Sequence, residues 1–349
     1  MSLEALPEWL QPVWNKILSR RDRMPHALLF CGAPGSGKRL FAEHLSRALL
    51  CRAPQANGFA CGACAACNWI AASNHPDYFT LIPAADEASD DDGETADAGK
   101  KEKAKSSQIV IDQVRSLQGA LEVGAGGHDG GRRVVIVDPA EAMNHAAANA
   151  LLKALEEPLE STHYLLVSHA PGRLLPTIRS RCQVIDFPRP EPEVALAWLR
   201  REGVRDDALL GFASGLPVAA RDYAQGDLQL IRRQLAKELA AVSATEPLKL
   251  AADWEARLKL KASVEAGFTM VTLVSWIQRW LFDGVCVANG LRPRFYQDFE
   301  AELRQATHNR CEAWMDCSRV VQEFRRVAQH PLNARLFLED LVLNLRRAM

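Results

Sequence analysis

Short apolar runs alternate with helix-like segments along the first half of the chain. The apolar runs predict five β-strands, within HALLFCG, DYFTLIP, RVVIVD, HYLLVSH and CQVIDF. Helices are predicted between them, one from Lys38 to about Leu50 and another in HAAANALLKALEEP, where Pro158 ends the helical pattern. Because strands that alternate with helices are typical of a parallel sheet with crossover helices, the pattern predicts a doubly wound α/β core.

Strand patterns disappear after the proline-rich stretch PRPEPEVA, which marks a linker. Amphipathic helices follow, in a small bundle from about Glu191 to Gly226 and a larger one from Leu228 to Met349. Four tryptophans of the larger bundle can be interpreted in two ways. The ordinary interpretation is that they pack in the core of the bundle, and the alternative is that they form an interface with a neighbouring subunit. They are Trp254, Trp276, Trp280 and Trp314.

Composition and charge narrow the class of protein. A chain of 349 residues predicts two or three domains. The 42 Lys and Arg residues balance 43 Asp and Glu residues, so the net charge of -1 provides no general attraction to nucleic acid. Any contact with DNA must then be local or pass through partners. The sequence opens without a signal-like segment and holds no run long enough to span a membrane, so we expect a cytoplasmic protein.

One long segment has no periodicity. Residues 84–107 begin with an acidic block and continue into a lysine-rich one. Such a composition cannot bury enough apolar surface to offset the entropy of ordering the chain, so we predict a disordered surface loop.

The stretch GAPGSGKRL has the features of a phosphate-binding loop. Gly32, Gly35 and Gly37 allow consecutive backbone N–H groups to turn around phosphates, and Lys38 meets the outer phosphates. The stretch follows a predicted strand and opens a predicted helix, the context that makes the motif specific. A magnesium-binding hydroxyl normally comes next, but this chain has Arg39, whose guanidinium has no acceptor atom. Magnesium-dependent hydrolysis is therefore doubtful.

A second departure follows the strand in RVVIVDPAEAM. Asp138 stands where such proteins hold magnesium through water, but the next residue is Pro139 in place of the glutamate that orients the attacking water. Glu141 lies two residues further on. We interpret it as a solvated residue at a helix start, in preference to a relocated base.

Four of the nine cysteines, Cys51, Cys61, Cys64 and Cys67, lie close together. Two-residue spacers let the chain turn back on a tetrahedral zinc ion, and four sulfurs leave no open coordination position. We therefore predict structural zinc, in preference to a disulfide or incidental thiols. The remaining cysteines are expected to be packing residues: Cys31, Cys182, Cys286, Cys311 and Cys317.

These strings together resemble one known family. Four stretches occur in a fixed order between Pro25 and Phe187: first PHALLFCGAPGSGK, then the four cysteines together with HPDY, then AAANALLKALEEP, and last LLPTIRSRC. In this the chain is similar to the delta-prime subunits of the bacterial DNA polymerase III clamp loader, within the AAA+ superfamily. The C-terminal half resembles the family chiefly in LNARLFLEDLVLNL.

The resemblance implies an architecture and partners. Residues 1–188 would form an AAA+ core, 189–227 a helical lid and 228–349 a helical collar. The collar would hold the chain in a five-membered ring with tau or gamma and delta subunits. That ring loads the sliding clamp onto primed DNA, and the chain would be a non-catalytic subunit of the polymerase assembly.

The resemblance also implies a role for Arg181 of TIRSRC, which by spacing alone is an unremarkable helix-end charge. It would be the arginine finger that reaches the ATP of the adjacent motor subunit. Ser168 falls where motor subunits have a threonine that senses the γ-phosphate, and Val218 lies near the place of their sensing arginine. With Arg39 and Pro139, these departures fit a subunit that does not hydrolyse ATP.

Two questions stay open at this point. The glycines, Lys38 and Asp138 leave binding of ATP or ADP undecided. The alternative function is an active motor ATPase resembling the tau and gamma subunits, against which Arg39 and Pro139 argue. A zinc-dependent redox protein is a weaker alternative, because four cysteine ligands saturate the metal.

Overall fold

The structure is a computed structural model and describes residues 5–84, 106–123, 131–307, 311–328 and 333–348. The predicted disordered loop, 84–107, lies outside the described residues except at its two ends. The chain divides into two compact units, Met1–Arg189 and Pro190–Met349. The division of the second unit into a lid and a collar stays a prediction.

The first unit is built on a five-stranded sheet in the order β2-β3-β4-β1-β5, in which every strand pairing is parallel. The strands are β1 (Ala27–Cys31), β2 (Tyr78–Leu81), β3 (Arg133–Val137), β4 (Thr162–Ser168) and β5 (Gln183–Asp186). The three central strands, β3, β4 and β1, are almost entirely buried, as their continuous apolar runs require when helices cover both faces of a sheet.

One helix precedes these strands and the others connect them. They are α1 (Gln11–Leu18), α2 (Lys38–Leu50), α3 (Ala65–Ala71), α4 (Ile111–Val123), α5 (His145–Glu156) and α6 (Pro176–Arg181). The start of α5 has a local cause, because the Asn144 side chain accepts a hydrogen bond from the Ala147 N–H at 2.8 Å and so caps the helix. The predicted α/β core with a parallel sheet, followed by helices, is confirmed.

The register of the sheet aligns the carboxyl ends of its central strands. Cys31 at the end of β1 pairs with Ser168 at the end of β4, and Val137 at the end of β3 pairs with Leu166. Residues that follow these strands therefore meet at one edge of the sheet, although they are far apart in sequence.

The second unit is helical throughout its described residues. Its helices are α7 (Pro192–Arg201), α8 (Ala208–Phe212), α9 (Pro217–Ala224), α10 (Leu228–Ala240), α11 (Pro247–Lys259), α12 (Lys261–Glu265), α13 (Met270–Ala288), α14 (Glu300–Thr307), α15 (Cys311–Val327) and α16 (Ala334–Ala348). Among the helices described in either unit, none combines the length and the apolar character that a membrane span requires.

The four tryptophans lie in the core of this unit, each with at most 1% of its surface exposed: Trp254, Trp276, Trp280 and Trp314. The prediction that these tryptophans pack in the core, and do not form an interface, is therefore confirmed. A close contact of this core is at Gly284, which is buried in α13. A Cβ atom at this position would overlap the ring of Trp314 on α15. Glycine is thus what lets the two helices approach each other.

We predict that Gly284→Ala lowers the free energy of unfolding by roughly 1–3 kcal/mol, because the added methyl group must displace a fully packed indole. Urea denaturation followed by tryptophan fluorescence measures this. Gly119→Ala on α4 is the matched control, since nothing lies within 4 Å of a Cβ atom built there. The control should gain about 0.5–1 kcal/mol from the better helix former. Equal stability of Gly284→Ala and the parent chain would contradict the close packing.

Candidate functional site

The phosphate-binding loop lies where the sequence predicts it, between the end of β1 and the start of α2. Gly35 and Gly37 have φ angles of 81° and 90°. Residues with a Cβ atom rarely adopt these angles, so both positions need glycine. Because Gly37 is the N-cap of α2, the loop leads directly into the positive end of a helix dipole.

Lys38 is turned inward onto the loop. Its side chain is buried, and the ammonium group donates hydrogen bonds to the carbonyl oxygens of Gly32 and Ala33, both at 2.7 Å, and to Ser36 Oγ at 3.3 Å. Burial lowers the pKa of this ammonium group to about 8, although the carboxylates of Asp138 and Glu141 oppose the change. The loop thus holds a buried positive charge on its own oxygen atoms.

Arg39 joins α2 to the end of β3. Its Nη1 atom lies 3.0 Å from Asp138 Oδ2, and its Nε atom lies 2.6 Å from Glu43 Oε1, one turn further along α2. Asp138 is the residue predicted to face magnesium, so the structure brings a guanidinium group to the carboxylate that would face the ion. The next residue, Pro139, offers no side-chain base.

Glu141 is bound to the backbone at the end of β4. Its Oε1 atom accepts hydrogen bonds from the N–H groups of His169 at 2.8 Å and Ala170 at 3.0 Å. The interpretation of Glu141 as a solvated residue is therefore wrong, because the side chain is half-buried and bridges two strand ends. Sequence alone could not reveal this, since the two bonded positions are 28 and 29 residues away.

Unpartnered polar atoms collect at this strand end. Within the described residues, Glu141 Oε2, Ser168 Oγ and His169 Nδ1 are buried and make no hydrogen bond. Burial lowers the pKa of His169, and the charge of Lys38 lowers it further, so the imidazole is neutral at pH 7. Buried polar atoms normally have partners, so these three atoms suit a polar ligand or its water.

Arg181 is at the C-terminal end of α6 and is 36% exposed. Its Nη2 atom lies 2.6 Å from Glu156 Oε1 at the end of α5. Its Nη1 atom donates to the Thr177 carbonyl at 3.0 Å and to Ser180 Oγ at 3.4 Å. The guanidinium group is thus held at the surface and bonds to none of the phosphate-loop residues.

The four clustered cysteines form a compact set. Their sulfur atoms all lie within 4.8 Å of one another. The pairs Cys51–Cys64 and Cys61–Cys67 are separated by 3.9 Å, and Cys64–Cys67 by 3.5 Å. Thiolates at about 2.3 Å from a tetrahedral zinc ion lie about 3.8 Å from each other. The set therefore has the size and chemistry of a structural zinc site.

Backbone N–H groups favour the thiolate form of one of these sulfurs, that of Cys61. The N–H groups of Ala63 and Cys64 donate to Cys61 Sγ at 3.5 and 3.3 Å, and both hydrogen bonds lower the pKa of the Cys61 thiol. His75 is not a member of the set. Its Nδ1 atom accepts a hydrogen bond from the Asp77 N–H at 3.1 Å.

The other cysteines are dispersed. Cys31, Cys182 and Cys317 are buried in apolar clusters, in agreement with their predicted packing role, whereas Cys286 and Cys311 are half-buried.

The fold and the loop define a P-loop α/β protein with a cysteine metal module. The family model described as "DNA polymerase III, delta subunit" matches residues 10–191. The chain is 40% identical to DNA polymerase III subunit delta' of Pseudomonas aeruginosa over 264 residues, which are 70% of this chain and 74% of the relative. It is 38% identical to the same subunit of Escherichia coli over 238 residues, 66% of this chain and 65% of the relative. The chain belongs to the delta-prime family of DNA polymerase III subunits.

A solved structure is also similar. It is a DNA polymerase III gamma subunit-related protein from Thermotoga maritima, with 19% sequence identity and a TM-score of 0.46 over 98% of this chain and 100% of that chain.

The structure brings together some of the predicted residues and separates others. The phosphate-loop glycines, Lys38 and Asp138 meet at the carboxyl edge of the sheet, the four cysteines form their own cluster, and Arg181 stands apart. Sequence reasoning missed three partners, Glu43, Glu156 and His169. Of these only Glu43 left a signal, because its spacing of four residues from Arg39 is that of an ion pair on a helix.

We predict one zinc ion per chain. Cys64→Ser should lower the zinc content well below one, because three thiolates cannot complete the tetrahedron, and it should lower the melting temperature of the first unit. Atomic emission of protein purified without chelator measures the metal. Cys286→Ser is the matched control and should keep the parent ratio. A zinc-to-protein ratio near zero in the parent chain would contradict the assignment.

Proposed function

We propose that this chain is a non-motor delta-prime-type subunit of the DNA polymerase III clamp loader. In that complex it helps to load the sliding clamp onto primed DNA and supplies one arginine to the ATP site of a neighbour. Family membership supports the complex. The observation that carries the non-motor role is the Arg39–Asp138 ion pair, which sets a guanidinium group against the carboxylate expected to face magnesium.

Three further features support the absence of hydrolysis by the chain itself. Pro139 removes the base that orients water, and Glu141, the next carboxylate along the chain, uses one oxygen to accept hydrogen bonds from backbone N–H groups. By family resemblance, Ser168 and Val218 replace the residues that sense the γ-phosphate in motor subunits. An ATPase needs the ion, the base and the sensors together.

Arg181 is suited to act on another subunit. Its guanidinium group is at the surface, where it is bound to the carboxylate of Glu156 and to the Thr177 carbonyl. A γ-phosphate brought to this surface by a neighbouring subunit would present anionic oxygen atoms in place of the Glu156 carboxylate oxygen that Arg181 contacts now. The arginine can therefore move from one anion to another without losing its charge partner.

The remaining assignments concern the assembly. The helices of residues 189–227 form the lid, and those of 228–349 form the collar that joins tau or gamma and delta subunits in a hetero-pentameric ring. Contact with DNA and with the clamp occurs within that ring, in the cytoplasm. The near-neutral charge of the chain fits a subunit that does not recruit DNA alone.

We predict that Arg181→Ala reduces hydrolysis at the neighbouring ATP site by about a thousandfold or more, because a guanidinium finger stabilises the charge of the transition state. The measurement is ATP turnover and clamp loading by a reconstituted complex in which that site alone can hydrolyse ATP. Gel filtration should show unchanged assembly.

Arg179→Ala is the matched control, since Arg179 is an exposed arginine on the same helix. It should leave turnover unchanged. Unchanged turnover in Arg181→Ala would exclude the finger role. Steady ATP hydrolysis by the isolated chain, abolished by Lys38→Ala, would establish the motor function instead.

A further inference from the structure

The guanidinium group of Arg39 lies between two carboxylates at the edge of the phosphate-binding loop. It is bound to Asp138 from β3 at 3.0 Å and to Glu43 from α2 at 2.6 Å. Asp138 is the more buried partner, with 14% of its side chain exposed against 28% for Glu43. In P-loop proteins that use magnesium, the ion lies between this aspartate and the hydroxyl that follows the loop lysine.

Magnesium does not fit this arrangement. It requires a near-octahedral set of oxygen ligands at about 2.0–2.1 Å, and Arg39 contributes none. A divalent cation beside Asp138 would also meet the fixed positive charge of Arg39 within a few ångströms, in a partly buried place where charges are weakly screened. The guanidinium group of Arg39 therefore already supplies the positive charge beside Asp138 that a magnesium ion would supply.

The anion side of the same site has its donor groups, of which Lys38 now donates to carbonyl oxygens of the loop itself. The glycine loop, the start of α2 and Lys38 supply the donors of a phosphate cradle. Among the described residues Arg39 Nη2 makes no hydrogen bond, so its two N–H groups are left for an oxygen ligand. The unpartnered Ser168 Oγ and His169 Nδ1 atoms are two more groups that can meet a phosphate or its water.

The charge of the site selects among phosphates. Lys38 and Arg39 oppose Glu43, Asp138 and Glu141, so these five side chains sum to -1. Glu141 adds an unpartnered carboxylate oxygen at the end of β4. A triphosphate would bring an additional negative charge to a site without a divalent cation, so a diphosphate is the better ligand.

We propose that the loop binds a nucleoside diphosphate without a divalent cation, with Arg39 serving in place of the metal ion. This rests on the proposed non-hydrolysing role of the chain. The nucleotide is then a fixed ligand that stabilises the first unit, because the site lacks the base needed to turn it over. Binding requires Lys38 to exchange the carbonyl oxygens of Gly32 and Ala33 for phosphate oxygens.

The test uses the full chain, labelled ADP and ATP, and buffers passed over a chelating resin. A soluble chelator is avoided because it would also strip the cysteine site. Equilibrium dialysis with and without Mg²⁺ measures affinity, and the melting temperature gives a second readout. We expect ADP affinity to change by less than about twofold on adding Mg²⁺, and ADP to bind at least about tenfold more tightly than ATP.

Variants of Arg39 make the test specific. Arg39→Thr restores a hydroxyl and frees Asp138, so Mg²⁺ should now tighten binding by about tenfold or more. Arg39→Lys keeps a positive charge, so its ADP binding should remain independent of Mg²⁺. This variant keeps the test decisive if Arg39→Thr folds poorly. Arg47→Thr, further along α2, is the matched control and should behave as the parent chain. Lys38→Ala should abolish binding.

Three results would overturn the inference. They are binding by the parent chain that requires Mg²⁺, no measurable ADP binding in either buffer, and an Arg39→Thr variant that folds but gains no dependence on Mg²⁺. None of these results bears on Arg181, since that residue acts at a nucleotide held by a neighbour. Failure here and failure of the proposed function are therefore distinguishable.

Discussion

The parallel pairing of the central strands is the constraint on which the site depends. Cys31 pairs with Ser168 and Val137 with Leu166, so β1 and β4 end together and β3 ends two residues earlier at the same edge. These strands are buried on both faces, and a shift in register would expose apolar side chains and leave backbone groups unpaired. The phosphate loop and the residues after β3 and β4 are thereby fixed at one edge of the sheet.

Charge balance at this edge connects stability to function. A buried lysine and a largely buried aspartate each need a partner, and the chain satisfies both internally, with loop oxygens for Lys38 and with Arg39 for Asp138. Arg39, which stands where a magnesium-binding hydroxyl is expected, is also the residue that forms the ion pair with Asp138. The fold can therefore keep the architecture of a phosphate-binding loop with an ion pair at the position where a magnesium ion is expected.

The two units and the cysteine module are stabilised by different means. The sheet unit relies on buried aliphatic strands, and the helical unit on large aromatic side chains packed around a glycine contact at Gly284. The module between α2 and α3 has few apolar residues of its own, so a metal held by four thiolates can supply the cross-links that a small core cannot. Each solution matches the side chains that its segment contains.

The sequence by itself determined the elements, the phosphate cradle and the cysteine cluster. Each of these depends on residues close together in the chain, namely periodic apolar positions, glycines that permit positive φ angles, and two-residue spacers between thiols. Tertiary structure alone decided that Arg39 pairs with Asp138, that Glu141 holds the end of β4, and that Glu156 holds Arg181. These contacts join separate strands and helices, and only the register of the sheet and the packing of helices on it bring such groups within bonding distance.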